Sequence, residues 1–191
     1  MKKLICIVLT FVMLTGIIPF GCAYAETKNG FDEFDFVVLL DRSTSMRTTD
    51  PDDVATEAAK MFIDACEISD SRVSIARFSL NCEISRFFTL NTISNRDAAK
   101  NEIDKVKKST GSLVGSALLK SVNFLIENGA PDRKKFIVLL SDGGLNEDDV
   151  SKLQEESDLC EKNSIPVYII GAQNSLWRLS DETRLSELAE Q

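Results

Sequence analysis

Phe36-Val37-Val38-Leu39-Leu40-Asp41-Arg42-Ser43-Thr44-Ser45-Met46 is the stretch that decides the fold. Its five consecutive apolar residues, Phe36 to Leu40, leave no polar face, so they suit a strand buried on both sides. At Asp41 the chain switches abruptly to oxygen-bearing side chains, with Asp41, Ser43 and Ser45 at alternate positions. Strands buried on both faces belong to α/β sheets covered by helices front and back, and ligands of such sheets gather where the strands end.

Working outward, the chain supplies the expected alternation of helix and strand. Asp50-Pro51 places a capping residue before a proline at the first helical position, and Val54, Ala58, Met61, Phe62 and Ala65 continue at helical spacing to about Glu67. Arg72 to Ser79, with Val73, Ile75, Ala76 and Phe78, reads as a second buried strand. Leu80-Asn81 is too short for a crossover, so Cys82 to Leu90 is expected to pair antiparallel with it, at an edge marked by Glu83, Ser85 and Arg86. Ser94 and Asp97 resemble a capping arrangement for a helix to about Lys107. After a loop at Thr110-Gly111-Ser112, Val114, Ala117, Leu118, Val122, Leu125 and Ile126 define one apolar helical face. Phe136 to Leu140 is another buried strand, ending in Ser141-Asp142-Gly143-Gly144; a helix from about Asn146 to Asn163, a strand from Pro166 to Ile170 and a helix from Ser180 to Gln191 follow. The order predicts a doubly wound, mostly parallel, Rossmann-like α/β sheet with one antiparallel edge strand.

Composition narrows the function. The 191 residues are 43% hydrophobic and 27% charged, as in an ordinary globular protein, and the net charge is −8. No basic run exists to neutralise phosphates, so nucleic acid is not an expected partner; Lys105 to Lys108 reads as a solvated helix end. The chain has no histidine. Ser-His-Asp and Cys-His nucleophile pairs, and zinc or iron sites built on imidazole, are thereby excluded.

Lys2-Lys3, the apolar run from Leu4 to Phe20 and the small-x-small triplet Ala23-Tyr24-Ala25 read as a secretory signal peptide over residues 1–25, cleaved after Ala25. The 17-residue run, broken by Gly16 and Pro19, is marginal for a bilayer span, so contact with a membrane is expected only through the leader during export. Residues 26–33 read as a linker and 34–191 as one domain, secreted or in the cell envelope. Cleavage removes two lysines and no acid, taking the net charge from −8 to −10. It leaves Cys66, Cys82 and Cys160, too few for a disulfide framework and expected to be buried as small apolar residues.

Three oxygen-rich segments are expected at one edge of the sheet: Asp41-x-Ser43-x-Ser45, Ser112 and Asp142. Hydroxyls and carboxylates without thiol or imidazole are hard donors, suited to Mg²⁺, or alternatively Mn²⁺ or Ca²⁺, and two carboxylates balance a divalent charge. Singly, each segment is an ordinary turn or cap; all three in order at strand ends point to a metal site. Trp177 reads as a packing residue and Glu147-Asp148-Asp149 as favourable charge at a helix N-terminus.

These residues carry a resemblance. Asp41 to Met46 is similar to the Asp-x-Ser-x-Ser metal-ion-dependent adhesion motif of von Willebrand factor type A domains, Gly111 to Leu118 to the segment bearing the third motif, and Leu139 to Gly143 to the strand bearing the fourth. Arg77-Phe78-Ser79 fits the second strand of that family. The resemblance implies direct metal contacts from Ser43, Ser45 and Ser112, with Asp41 and Asp142 often acting through water. Ser112 stands where threonine is usual and Thr44 where glycine is common; neither change removes an oxygen ligand. It also implies a sixth strand and closing helix after Ser180 to Gln191, so the chain is expected to be a fragment of a longer domain, with Val167 to Ile170 left as an apolar sheet edge prone to pairing. The function implied is a non-enzymatic binding module whose metal takes up a carboxylate of a protein ligand. Two other readings differ in chemistry. A haloacid dehalogenase-type phosphatase needs a second aspartate two residues after the first, where Ser43 stands, and a degenerate structural domain would bind no metal.

Overall fold

The computed structural model describes residues 33–105, 109–142 and 150–171. The signal peptide, the linker up to residue 32, Trp177, the Glu147 to Asp149 run and the expected helix from Ser180 lie outside the described residues. The chain divides into two units, Met1–Gly30 and Phe31–Gln191, and the fold below belongs to the second.

Strand β1 (Phe34–Asp41) is followed by a one-turn helix α1 (Met46–Thr49) and by α2 (Val54–Ala65). Then come β2 (Arg72–Phe78), the short strands β3 (Cys82–Ile84) and β4 (Phe88–Thr89), α3 (Ile93–Ile103) and α4 (Val114–Asn128). The described part ends with β5 (Lys134–Ser141), α5 (Val150–Asn163) and β6 (Val167–Gly171). The sheet order is β3-β2-β1-β5-β6, with β4 also on β2. β1 runs parallel to both β2 and β5, and β5 parallel to β6; β3 and β4 are antiparallel to β2.

Period-two alternation divides the core between the two faces of the sheet. Phe36, Val38, Leu40, Val73, Ile75, Val138 and Leu140 pack on one face with Ala59 and Ile63 of α2 and Ala99 and Ile103 of α3. Val37, Leu39, Ala76, Phe78, Ile137 and Leu139 pack on the other with Val114, Leu118, Val122 and Leu125 of α4 and Leu153 of α5. Helices therefore cover both faces, and the mostly parallel doubly wound sheet is as expected.

Five local expectations need correction. The α2 face is displaced by one position: Ala55, Thr56, Ala59 and Ile63 are buried, whereas Val54 and Met61 are exposed. Apolar residues cover so much of this helix that spacing alone supports either face. Asp50 does not stand directly before the helix. It ends α1, and its carboxylate reaches forward to accept from the amides of Val54 and Ala55 at 2.7 and 2.9 Å, so it caps α2 across the Pro51 turn. At the end of the α4 stripe, Ile126 is 39% exposed.

The strand expected over Cys82 to Leu90 is split. Ile84 pairs with Ala76, but Phe88 pairs with Val73, so three residues on one strand, 85–87, face two on the other, 74–75. This is a β-bulge. Ser85 fills the gap: its Oγ accepts the Ile75 amide at 2.9 Å while its carbonyl accepts the Ser74 hydroxyl at 2.7 Å. The cysteines depart from expectation in burial only. All three are free thiols and only half-buried, each against the edge of a core cluster, and burial pushes the Cys82 thiol up to about 11.

Candidate metal centre

From β1 the chain passes to β2 on one side and returns later as β5 on the other, so the strand order reverses between β1 and β5. Their carboxyl ends form the crevice where such sheets bind ligands. Asp41 is the last residue of β1, and Asp142 follows the last residue of β5.

Asp41 is buried, 2% exposed. Its Oδ1 accepts the Ser43 amide at 2.8 Å and its Oδ2 accepts the Ser141 hydroxyl at 2.6 Å. Burial pushes its pKa above the ordinary value; the hydrogen bonds from Ser141 and Ser43 work against that, and the Asp142 charge adds to it. The Asx-type bond to Ser43 turns the chain so that the next alternate residues converge: Ser43 Oγ and Ser45 Oγ are 2.8 Å apart. Ser43 is buried and Ser45 exposed, so the pair opens to solvent at one end. Met46 starts α1 and is 1% exposed in the core, which anchors the loop. Between them Arg42 turns the other way. Its guanidinium donates to Asp53 and Thr56 at 2.9 Å each and to the Ile103 carbonyl at 3.3 Å, tying the loop to α2 and α3.

Ser112 reaches the same edge through its backbone neighbours. The Ser109 amide donates to the Arg42 carbonyl at 2.7 Å, and the Leu113 amide to the Ser79 carbonyl at 2.9 Å, so this loop is fastened to the chain following β1 and β2. Gly111 between the two fastenings has φ +85°, and a Cβ there would lie 2.3 Å from Leu80 Cδ2. The Leu80 side chain is exposed and could give way, so it is the left-handed φ that favours glycine here.

Asp142 is connected to the loop by a residue that sequence reasoning missed. Thr49 Oγ1 donates to Asp142 Oδ2 at 2.8 Å, across 93 positions of sequence. Ser141, which holds Asp41, was also unforeseen as a site residue. Neither contact is visible as a spacing; only the parallel pairing of β1 with β5 could have suggested it.

The donor set consists of oxygens. Among the described residues no three His, Cys, Asp or Glu gather as a metal cluster; three of the five candidate donors are serine hydroxyls. Octahedral Mg²⁺ with ligands at 2.0–2.1 Å has neighbouring oxygens about 2.9 Å apart. Ser43 Oγ and Ser45 Oγ, hydrogen-bonded to each other at 2.8 Å, have the separation of that edge, and the buried Asp41 carboxylate holds the Ser43 amide. The residues fit a small hard divalent ion.

A family model described as von Willebrand factor type A domain matches residues 35–191. The chain belongs to this family. Solved structures agree on the fold of the type A domain. A von Willebrand factor type A protein from Catenulispora acidiphila is similar at TM-score 0.64 and 20% identity, over 73% of this chain and 33% of that one. Proximal thread matrix protein 1 from the mussel byssus, with a zinc occupied MIDAS motif, gives 0.58 and 22% over 73% and 38%. The pilus adhesin SpaC from Lactobacillus rhamnosus GG in its open conformation gives 0.59 and 14% over 73% and 24%. The matched region thus spans only about a quarter to two fifths of these proteins. No curated protein matches the sequence. Among the described residues of the type A domain, no helix is long and apolar enough to cross a membrane.

Proposed function

We propose that this type A domain is a divalent-ion-dependent protein-binding module, exported to the cell surface or its surroundings, rather than an enzyme. The observation that carries the reading is the convergence of Ser43 Oγ and Ser45 Oγ at 2.8 Å beside Asp41, a buried carboxylate that accepts from the Ser43 amide and the Ser141 hydroxyl and, among the described residues, pairs with no cation. Ser43, Ser45 and Ser112 would hold the ion directly, and Asp41 and Asp142 would balance its charge. Mg²⁺ suits the spacing best. When bound, a divalent ion in an open oxygen site supplies a position that a partner's carboxylate can fill.

The chain's own groups prepare that position. Ser43 lies in the buried floor, Ser45 faces solvent, and the loop is stiffened by Met46 in the core and Arg42 against α2. The phosphatase alternative finds no second carboxylate two residues after Asp41, where Ser43 stands. Export is supported by the Lys2-Lys3, apolar-run and Ala23-x-Ala25 pattern, and the likeness to an adhesin and a byssus matrix protein favours a role outside the cell.

Calorimetric titration with Mg²⁺ and Mn²⁺ tests the site. One ion should bind per chain, and Ser43→Ala or Asp142→Ala should weaken it at least tenfold with the far-UV circular dichroism unchanged. Equal affinity in wild type and both variants would move the site elsewhere. Retention on immobilised poly-glutamate that survives EDTA would end the carboxylate-capture mechanism.

A further inference from the structure

The Asp-x-Ser-x-Ser loop does not end its contribution at Ser45. One helical turn later, Thr49 closes α1, and its hydroxyl is within reach of three acceptors: Asp142 Oδ2 at 2.8 Å, the Ser45 carbonyl at 3.1 Å and Met46 Sδ at 3.8 Å. A hydroxyl has one proton to give. The carboxylate is both the nearest acceptor and the charged one, so it takes the proton in the strongest of the three bonds. The adjacent Thr48 is exposed and makes no comparable reach, so the register of α1 selects Thr49 alone.

The bond has a positional consequence. Asp142 stands just past the end of β5, where the ladder no longer fixes the backbone. Asp41, by contrast, is clamped by two donors while still inside β1. Beyond the ladder, the side chains that bond its oxygens help to orient the carboxylate. Thr49 supplies one such bond, from the same short helix that begins at Met46, directly after Ser45. The loop bearing two of the hydroxyl donors therefore also contributes to the orientation of the more distant carboxylate.

We propose that Thr49 is a positioning residue of the metal centre, holding Asp142 through the Oγ1–Oδ2 bond so that the ion meets a pre-oriented carboxylate. This rests on the divalent-ion reading above. Thr49 touches no ion itself; it acts through Asp142, and the methyl group of the threonine is not required.

The test compares Thr49→Val, which keeps the shape and loses the donor, with Thr49→Ser, which keeps the donor and loses the methyl. Thr48→Val is the control. The probe is Mn²⁺, followed by calorimetry and by the rise in thermal midpoint that saturating Mn²⁺ produces. Thr49→Val should bind Mn²⁺ roughly tenfold more weakly, with a reduced Mn²⁺-induced rise in midpoint and an unchanged midpoint in EDTA. Thr49→Ser and Thr48→Val should match wild type. Equal Mn²⁺ affinity in Thr49→Val and wild type overturns the proposal. So does loss of affinity in both Thr49 variants, which would assign the effect to packing of the methyl. A fall in midpoint that is the same in EDTA and in Mn²⁺ overturns it too, since a merely structural role predicts that. If wild type itself binds no divalent ion, the metal reading fails first and takes this one with it.

Discussion

Strand β1 carries a buried carboxylate at each end, and the two are treated in opposite ways. Asp35 is fully buried. Arg72 donates to it twice, at 2.7 and 2.5 Å, the Ala130 amide donates at 2.6 Å, and Arg133 stands at 3.5 Å. Burial pushes its pKa up, but the bonds from Arg72 and Ala130 and the charges of both arginines outweigh burial and hold it below the ordinary 3.8. Six residues further on, Asp41 is almost as deep, yet its bonds come from the Ser43 amide and the Ser141 hydroxyl, and its pKa is raised. Arg42, the nearest cation in sequence, faces Asp53 instead. A buried charge that the fold means to keep for itself is neutralised internally, as at Asp35. One held by a hydroxyl and an amide, as at Asp41, is where the proposed divalent ion would supply the counter-charge.

The largest effect should come from unbalancing the closed end. Arg72→Met leaves Asp35 buried with only the more distant Arg133 as a cation, and should cost about 3 kcal/mol at neutral pH by urea denaturation. The cost should depend on acidity in a defined direction. Asp35 has a folded pKa below its unfolded one, so its stabilisation is present above the ordinary 3.8 and disappears as pH falls through the lowered value. The gap between wild type and Arg72→Met should therefore narrow in acid; a gap of constant size from pH 7 to pH 3 would mean that the pair does not account for it.

Next in size is the open end. Asp41→Asn removes a buried charge that no side-chain cation among the described residues answers, so in EDTA the protein should change by less than about 1 kcal/mol. Wild type in Mg²⁺ at a hundred times its dissociation constant should gain about 2.7 kcal/mol, and Asp41→Asn should gain almost none. A large loss for Asp41→Asn in EDTA would place Asp41 with Asp35 as a structural charge and undo the contrast.

Most of this edge was legible in the sequence because it is local. Asp41, Ser43 and Ser45 stand at alternate positions directly after an apolar strand, and the Asp41–Ser43 bond spans two residues. The contacts that complete the site are not local. Thr49 meets Asp142 across 93 positions and Ser141 meets Asp41 across 100, so they follow only from the pairing of β1 with β5. The α2 face was misread for another reason. Its apolar residues are too evenly distributed for periodicity to choose between Val54 and Ala55, and the Asp50 cap and the Arg42 bond to Thr56 settle the rotation. The bulge was hidden because its cause is one serine hydroxyl replacing a backbone acceptor for Ile75, which hydrophobic patterning does not register.

The smallest effect isolates the hydroxyl that substitutes for a cation. Ser141 is 1% exposed and gives its proton to Asp41 Oδ2 at 2.6 Å. A bond to an ionised acceptor is stronger than one to a neutral amide, so the worth of this hydroxyl depends on the charge of its partner. Ser141→Ala alone should cost about 1.5 kcal/mol in EDTA. In an Asp41→Asn background the same change should cost about half as much, because the acceptor is neutral, giving a coupling of roughly 0.7 kcal/mol in a double-mutant cycle. The corresponding cycle of Arg72→Met with Asp35→Asn should show a coupling several times larger, since a full charge is at stake. Equal couplings at the two ends would mean that a hydroxyl compensates a buried carboxylate as well as an arginine does, and the case for an external cation at Asp41 would lose its energetic basis.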